Sequence, residues 1–130
     1  MISHFDFFRF YAMMIIVACD ENDEVLGYCG VKDGNELCQV FVYPEYRGKG
    51  IVHQLVWKAV EFALGNGSKV LWGLAYPHVK DLYIGYVTKF GAKLVEEEQA
   101  EERIDGQWRG VFDLNEVTSD RRPNLRRECS

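Results

Sequence analysis

A short glycine-containing segment between an apolar stretch and a helical pattern has the composition of an anion-binding loop. It reads Arg47-Gly48-Lys49-Gly50 and runs into Ile51, the predicted start of a helix. The first backbone N–H groups of a helix have no partner within it, and the helix dipole places partial positive charge there. Glycine lets the backbone approach a ligand closely because it carries no Cβ. The segment therefore predicts a phosphate site, with the Arg47 and Lys49 side chains adding positive charge at its mouth.

The same segment resembles the central motif of the GNAT superfamily, the acetyl-CoA-dependent N-acetyltransferases. That motif reads (Arg/Gln)-x-x-Gly-x-(Gly/Ala), often with Val-x-Pro shortly before it. Arg47 and Gly50 match the motif here, and Val42 and Pro44 match the lead-in. The last position is Val52 instead of Gly or Ala, so the chain departs from the pattern at the final amide. Neither GxGxxG nor GxxxxGK(S/T), two other phosphate-binding patterns, occurs in the chain.

The resemblance implies how acetyl-CoA, the co-substrate of the family, would bind. In the family, the strand before the loop and the strand after the next helix splay apart, and pantetheine pairs with the backbone of the first strand. That backbone belongs here to Val40, Phe41 and Val42. Ordinary β-sheet packing of these three side chains is compatible with this role, because only their backbone is involved. The pyrophosphate is implied to bind the N–H groups of Gly48, Lys49, Gly50, Ile51 and Val52.

The resemblance also implies a general base. A lysine-like amine has a pKa of about 10.4, so about one molecule in a thousand is nucleophilic at neutral pH. A base that removes the proton contributes about 10²–10⁴-fold to the rate. Glu36 stands eleven residues before Arg47, the spacing of the catalytic glutamate in histone-type GNAT enzymes. The alternative is a solvated carboxylate at the end of a strand.

Family members often use a tyrosine of the second main helix to protonate the departing thiol, in a pattern like Tyr-x-Lys-x-Gly. Counting back from Gly91 places Val87 in the tyrosine position, whereas counting forward from Pro77 places Tyr86 there. Successive residues of a helix are rotated by about 100°, so the side chains at positions 86 and 87 would point in different directions. Tyr86 is the candidate acid and Tyr83 the second candidate. Packing of both rings in the core is the alternative.

Neither the histidines nor the cysteines show the spacing of a metal site. His4, His53 and His78 have no partner pattern, and the 4 cysteines contain no CxxC pair. Three cysteines fall in predicted strands, where a free thiol acts as a small apolar residue. We therefore expect no metal, free thiols and a reducing, cytoplasmic location. Residues 16–19 resemble a lipoprotein cleavage box, but the apolar run 10–19 is shorter than the roughly 20 residues that span a membrane.

Composition narrows the class of protein. The chain has 130 residues, of which 48% are hydrophobic and 14% aromatic, enough for one domain with a sizeable core. Its net charge of −5 argues against nucleic acid as a partner, since affinity for phosphate backbones comes from Lys and Arg. An acidic balance fits a cationic amine, or serves only solubility. The densest acidic run, 96–102, is expected to be a solvated hairpin arm.

Hydrophobic periodicity predicts the element order β-β-β-α-β-α-β-β, an α+β domain with a mixed sheet. The first three strands form an antiparallel meander. The fourth has an apolar run that predicts burial on both faces, as in parallel pairing. Asp105-Gly106 predicts a two-residue turn in the last hairpin. The predicted strands cover 11–19, 25–31, 36–43, 69–76, 94–103 and 107–114, and the predicted helices 51–64 and 79–90.

This order matches the GNAT fold from its second strand onward, over about 10–115. The resemblance implies a mostly antiparallel twisted sheet with a splay between two parallel strands and two main helices. Residues 1–9 are predicted to form one helical turn, so the first strand and the two front helices of the family are expected to be absent. Because those helices wall the acceptor pocket, we expect an open site, a large acceptor, or a partner subunit in a homodimer.

The sequence therefore predicts one GNAT-like domain over 1–117 and a basic tail over 118–130. The implied activity is transfer of the acetyl group of acetyl-CoA to a primary amine, with no nucleic acid or membrane as partner. One alternative is a non-catalytic CoA-binding or structural protein of the same fold, such as a phage-encoded one. The other is an acyltransferase that uses a longer acyl-CoA or acylates a hydroxyl.

Overall fold

The computed structural model describes residues 1–118, which form a mixed sheet of seven strands with two α-helices. The strand order is β1-β2-β3-β4-β5-β7-β6, and β4 and β5 are the parallel neighbours. The predicted fold class, with its parallel pair, is confirmed. The strands are β1 (His4–Phe10), β2 (Met13–Cys19), β3 (Val25–Lys32), β4 (Glu36–Val42), β5 (Val70–Ala75), β6 (Lys93–Glu98) and β7 (Trp108–Asp113), and the helices are α1 (Ile51–Gly65) and α2 (Lys80–Thr88).

The start of the chain corrects the sequence prediction. Residues 1–9 do not form a helical turn, because His4–Phe10 pairs with β2 along its whole length. The aromatic residues of this segment favour a pleated, half-buried strand. Tyr11, at a φ of 55°, and Ala12 join the two strands in a tight hairpin. The strand expected to be absent is therefore present, and two residues stand between it and β2.

Helix α1 forms where the apolar residues recur at helical spacing, as predicted. Its buried face includes Leu55, Ala59 and Ala63, and this face lies against β2, β3 and β4. The helix ends at Gly65. The chain then reverses through Gly67, whose φ of 80° suits a residue without a Cβ. The helix thus covers one face of the sheet and holds its own N-terminus at the end of β4.

Strand β5 is buried on one face only, which corrects the prediction of burial on both. Leu71, Gly73 and Ala75 are buried, whereas Trp72 and Leu74 are half-buried. The reason is that α1 and α2 contact each other and both lie on the Gly73 side of the sheet. Successive residues of a strand face opposite sides, so Trp72 and Leu74 lie on the face without helices.

The last hairpin has a longer connection than the predicted two-residue turn. Strand β6 ends at Glu98, and a 3₁₀ turn (Ala100–Glu102) follows it. The Arg103 guanidinium then contacts Glu98 at 3.1 Å and Asp105 at 2.9 Å. These ion pairs fix the connection, and part of the acidic run is thereby paired within the hairpin.

The predictions of a basic tail and of no membrane span concern the end of the chain and the length of its helices. The basic tail predicted over 118–130 lies outside the described residues apart from Thr118. Neither α1 nor α2, nor any other helix of residues 1–118, is long and apolar enough to cross a membrane.

Candidate active site

The gap between β4 and β5 is the centre of the site. The two strands pair at only two positions, Glu36 with Trp72 and Leu37 with Gly73. In the described sheet, β4 continues from there to Val42 without a β5 partner, so the strands diverge. The point where they part, between Leu37 and Gly73, is called the apex here. Beyond it, the edge of β4 that faces β5 has backbone groups available to a ligand.

A β-bulge in β4 follows the apex directly. Residues 28–30 of β3 face residues 38–41 of β4, so β4 carries one extra residue. Gln39, with a φ of 53°, takes up the change in register. Leu37 and Val42 are both buried although their odd spacing along the chain would place them on opposite faces of a regular strand. The bulge therefore reverses which side chains of β4 face the helices, within the stretch predicted to bind pantetheine.

A cavity of about 790 Å³ fills the space between β4, the glycine loop, α1 and α2. Pockets that bind small molecules and cofactors commonly have volumes of about 300–1,000 Å³. Most residues predicted to bind the co-substrate or to act on it line this cavity. They are Val40, Phe41, Val42, Arg47, Gly48, Gly50, Ile51, Val52, Tyr83 and Tyr86. Two predicted residues, Glu36 and Lys49, do not line it.

The glycine loop has the backbone geometry of an anion site. Gly48 and Gly50 have φ values of 78° and 80°, which side chains other than glycine rarely allow. Gly50 caps α1 without a side-chain hydrogen bond, and the Gln54 N–H donates to the Gly50 carbonyl at 3.3 Å. The N–H groups of Ile51 and Val52 precede that bond and therefore have no partner within the helix.

Arg47 is held against the end of β4. Its Nε donates a hydrogen bond to the Val42 carbonyl at 2.8 Å, and its guanidinium lies 5.5 Å above the Phe41 ring. These contacts fasten the loop to the strand while the cationic group remains at the cavity wall. Lys49 is exposed and does not line the cavity, so solvent screens its charge from the cavity.

Tyr83 places its hydroxyl at the apex. The oxygen is buried and has no hydrogen-bond partner among the described residues. A Cβ at Gly73 would overlap this oxygen and would lie 2.8 Å from the Leu37 carbonyl oxygen. Burial, followed by the nearby Cys38 and Glu36, raises the pKa of Tyr83. The hydroxyl therefore stays protonated at neutral pH and can donate a hydrogen bond.

Tyr86 lies farther along the same wall. Its ring packs edge-on against His53 at 5.0 Å between centroids, and both residues line the cavity. His53 therefore belongs to the cavity wall, which the sequence did not indicate. His78 is exposed and stacks on Tyr76 at 6.0 Å, outside the cavity lining.

Glu36 lies next to the apex but on the other face of the sheet. It pairs with Trp72, which points away from the helices because its neighbour Gly73 faces α2. The Arg109 guanidinium lies 4.9 Å above the Trp72 ring on that face. The half-buried carboxyl group of Glu36 and the Tyr83 hydroxyl thus approach the apex from opposite sides.

Gly73 is a site residue that the sequence did not reveal. Its role depends on Tyr83 of α2 and Leu37 of β4, and neither is near it in sequence. A glycine inside an apolar strand does indicate a close approach by another group, and this is the one signal that pointed to it.

Comparison with known proteins agrees with this geometry. A curated relative, an uncharacterized N-acetyltransferase of Archaeoglobus fulgidus, is 43% identical over 58 residues, which are 43% of this chain and 38% of that protein. Mutant forms of the spermidine/spermine N-acetyltransferase SpeG from Vibrio cholerae share the fold at a TM-score of 0.60 and 17% identity, over 78% of this chain and 65% of that one. Nourseothricin acetyltransferase does so at a TM-score of 0.55 and 24% identity, over 78% and 64%.

The chain thus spans less than two fifths of the curated relative and slightly under two thirds of these two structures. The likeness to the two structures concerns the fold. The family model of the acetyltransferase (GNAT) family matches residues 2–85, which include β1 to β5, the glycine loop and most of α2. The chain therefore belongs to the acetyltransferase (GNAT) family.

Proposed function

We propose that the protein transfers the acetyl group of acetyl-CoA to a primary amine by direct attack of the amine on the thioester. The observation that carries this proposal is the gap that opens at Leu37 and Gly73. A loop suited to a pyrophosphate lines the cavity, and so does Tyr83 with its buried, protonated hydroxyl. Family membership supports the same reaction class.

The co-substrate would bind through backbone groups. The pyrophosphate would accept hydrogen bonds from the N–H groups of residues 48–52, where the start of α1 favours negative charge. The pantetheine arm would pair with β4 at residues 40–42, where β5 has diverged. Val52 is half-buried against the core and also lines the cavity, and the pyrophosphate would contact only its backbone N–H.

The reaction would exchange one bond for another at the thioester carbonyl carbon. The amine nitrogen forms the C–N bond, the C–S bond breaks, and CoA leaves as a thiolate that takes a proton. Glu36 would accept the proton lost by the amine, directly or through a water molecule. A β4 backbone N–H near Phe41 or Val42 would stabilise the oxyanion.

Tyr83 is a better candidate than Tyr86 for the group that contacts the departing sulfur. The Tyr83 hydroxyl lies at the apex without a hydrogen-bond partner in residues 1–118, whereas Tyr86 lies on the cavity wall against His53. Its raised pKa makes Tyr83 a weak acid. Its contribution would therefore be a hydrogen bond to the thiolate more than full proton transfer, since a thiol of pKa about 8.5 leaves readily.

The position of Glu36 supports a two-sided site. CoA would enter from the helix face, where the cavity lies, and the amine would approach from the face of Glu36 and Trp72.

The described thiols, Cys19, Cys29 and Cys38, are free, which fits the reducing cytoplasm as the place of this reaction.

Two measurements test the proposal. Isothermal titration should show CoA binding to the wild-type chain, and absence of binding would rule out this function. Release of CoA from acetyl-CoA should then depend on an added amine, in a screen of amino acids, polyamines, aminoglycosides and protein lysines. CoA binding without transfer to any of them would instead support the non-catalytic alternative.

A further inference from the structure

Three side chains that commonly bind metals meet at the β1 edge of the sheet, away from the cavity. His4 and Asp6 are two residues apart on β1, and Cys19 of β2 is the cross-strand partner of His4. Alternate residues of a strand share a face, and so do directly paired residues. One ligand atom from each of the three lies within 4.8 Å of the other two.

The distances within this cluster fit a small tetrahedral ion. His4 Nε2 lies 3.6 Å from Asp6 Oδ2, and Cys19 Sγ lies 3.7 Å from the same oxygen. A tetrahedral zinc ion with bonds of about 2.0–2.3 Å separates neighbouring ligand atoms by about 3.3–3.8 Å. Two edges of such a tetrahedron are therefore already at the required length, and small side-chain rotations would adjust the third.

Asp23 offers a fourth ligand. Its Oδ1 lies 3.3 Å from His4 Nε2, and its side chain is 84% exposed, so it can reorient without a packing cost. The β2–β3 turn is fixed by Asp20, whose Oδ1 accepts hydrogen bonds from the N–H groups of Asn22 and Glu24 at 2.8 and 3.0 Å. Asp23 takes a φ of 62° in this turn, which places its carboxylate beside the imidazole.

The charge of the cluster also favours a divalent cation. Two carboxylates face one imidazole, and even a protonated His4 would neutralise only one of them. A thiol and an imidazole suit zinc and similar transition metals, whereas magnesium and calcium prefer oxygen ligands alone. We propose that His4, Asp6 and Cys19, with Asp23 as the fourth ligand, bind one zinc ion.

The expected role of this ion is structural. None of the four residues lines the cavity, so the ion would not take part in acyl transfer. It would join the edge strand β1 to the end of β2 and to the β2–β3 turn. A metal that binds only the folded chain stabilises it by mass action. We expect saturating zinc to raise the Tm by roughly 5 °C.

The test uses the full chain without a histidine tag, after removal of metal with a chelator. Zinc titration by calorimetry should show one site per chain. Cobalt as a spectroscopic probe should produce a thiolate charge-transfer band. Cys19→Ser should abolish that band, and Cys19→Ser and His4→Gln should each lower the zinc affinity at least tenfold. Cys38→Ser is the matched control, since its half-buried thiol lies outside the cluster, and it should retain both the band and the affinity.

Several outcomes would overturn the proposal. They are no zinc or cobalt binding by the wild-type chain, a band that persists in Cys19→Ser, or equal loss in Cys38→Ser. If Cys19→Ser does not fold, then Asp6→Asn and His4→Gln decide the matter, because these side chains are 49% and 36% exposed and their replacement spares the core. CoA binding is measured separately on each variant and should not change, so the two proposals can fail independently.

Discussion

The Tyr83 hydroxyl occupies the space that a side chain at Gly73 would need. A Cβ at Gly73 would overlap the Tyr83 oxygen, and the Leu37 carbonyl oxygen would lie 2.8 Å from the same Cβ. The apex is thus closed by one glycine of β5, one hydroxyl of α2 and one carbonyl of β4. Because each group limits the others, the hydroxyl has a fixed position although it forms no hydrogen bond within the described chain.

Gly73→Ala should therefore displace Tyr83 from the apex. We expect kcat to fall at least tenfold while the Kd for CoA changes less than threefold, since the loop is untouched. Overpacking should also lower the free energy of unfolding by about 1–3 kcal/mol. Steady-state kinetics, calorimetry and urea unfolding measure the three effects. Gly85→Ala is the control, because a Cβ there meets no atom of the described residues within 4 Å. Equal loss of kcat in both variants would contradict this explanation.

Tyr83→Phe should separate activity from stability. The variant loses the proposed hydrogen bond to sulfur, so we expect kcat to fall at least tenfold. A buried hydroxyl without a partner costs about 1–3 kcal/mol, so its removal should raise the free energy of unfolding by about 1 kcal/mol. Tyr86→Phe should change kcat less than threefold. A larger loss in Tyr86→Phe than in Tyr83→Phe would return the role to Tyr86.

Gly50→Ala should weaken CoA binding through the backbone. A side chain at a φ of 80° costs about 1–2 kcal/mol, and relief of that strain would move the N–H groups at the start of α1. Calorimetry should show at least a tenfold higher Kd for CoA. Gly67→Ala is the control: Gly67 has the same φ of 80° at the other end of the helix, and a Cβ there meets no atom of residues 1–118 within 4 Å. Gly67→Ala should lose a similar amount of stability yet bind CoA with the affinity of the wild type. Equal CoA affinity in the two variants would argue against a role of the glycine loop in binding CoA.

Glu36→Gln should slow acyl transfer without affecting the co-substrate. We expect kcat/KM for the amine to fall at least tenfold and its dependence on pH to change shape, because an amide cannot accept the proton. The Kd for CoA should stay within threefold of wild type, since Glu36 lies outside the cavity. An unchanged pH profile would remove Glu36 from the mechanism.

Cys29 should contribute to stability in a pH-dependent way. Its thiol is fully buried beside the Leu55 carbonyl, at 3.7 Å, and burial raises its pKa from 9.0 to about 12. Between about pH 9 and 12 the unfolded chain has released this proton while the folded chain retains it, so stability falls as pH rises. Below pH 9 the contribution is fully present. Urea unfolding of Cys29→Ala should show a shallower decline above pH 9 than wild type, and parallel curves would contradict the assignment.

The sequence predicted those parts of the site that lie close together along the chain. The glycine loop, the strand before it and the helix after it follow one another from Val40 to Val52, so their order alone implied their arrangement. Gly73 and the cluster of His4, Asp6 and Cys19 could not be found in this way. They depend on pairings between distant residues, and one of these strands, β1, was predicted as a helical turn.

The two tyrosines illustrate the same limit. Motif counting favoured Tyr86, whereas the hydroxyl at the apex belongs to Tyr83. Residues three apart on a helix lie on neighbouring positions of one face, so periodicity could not separate them. The difference arises from Gly73, whose missing side chain leaves room for the Tyr83 hydroxyl at the apex.

The bulge at Gln39 determines which face of the sheet each later side chain of β4 occupies. If the same residues of β4 paired with β3 without the bulge, Phe41 would face the helices and Val42 would face away from them. The carbonyl that anchors Arg47 would turn with Val42, and the loop would leave the end of the strand. The extra residue at Gln39 therefore keeps the anion site coupled to the apex, whereas regular pairing of the same residues would separate the two while the sheet itself survived.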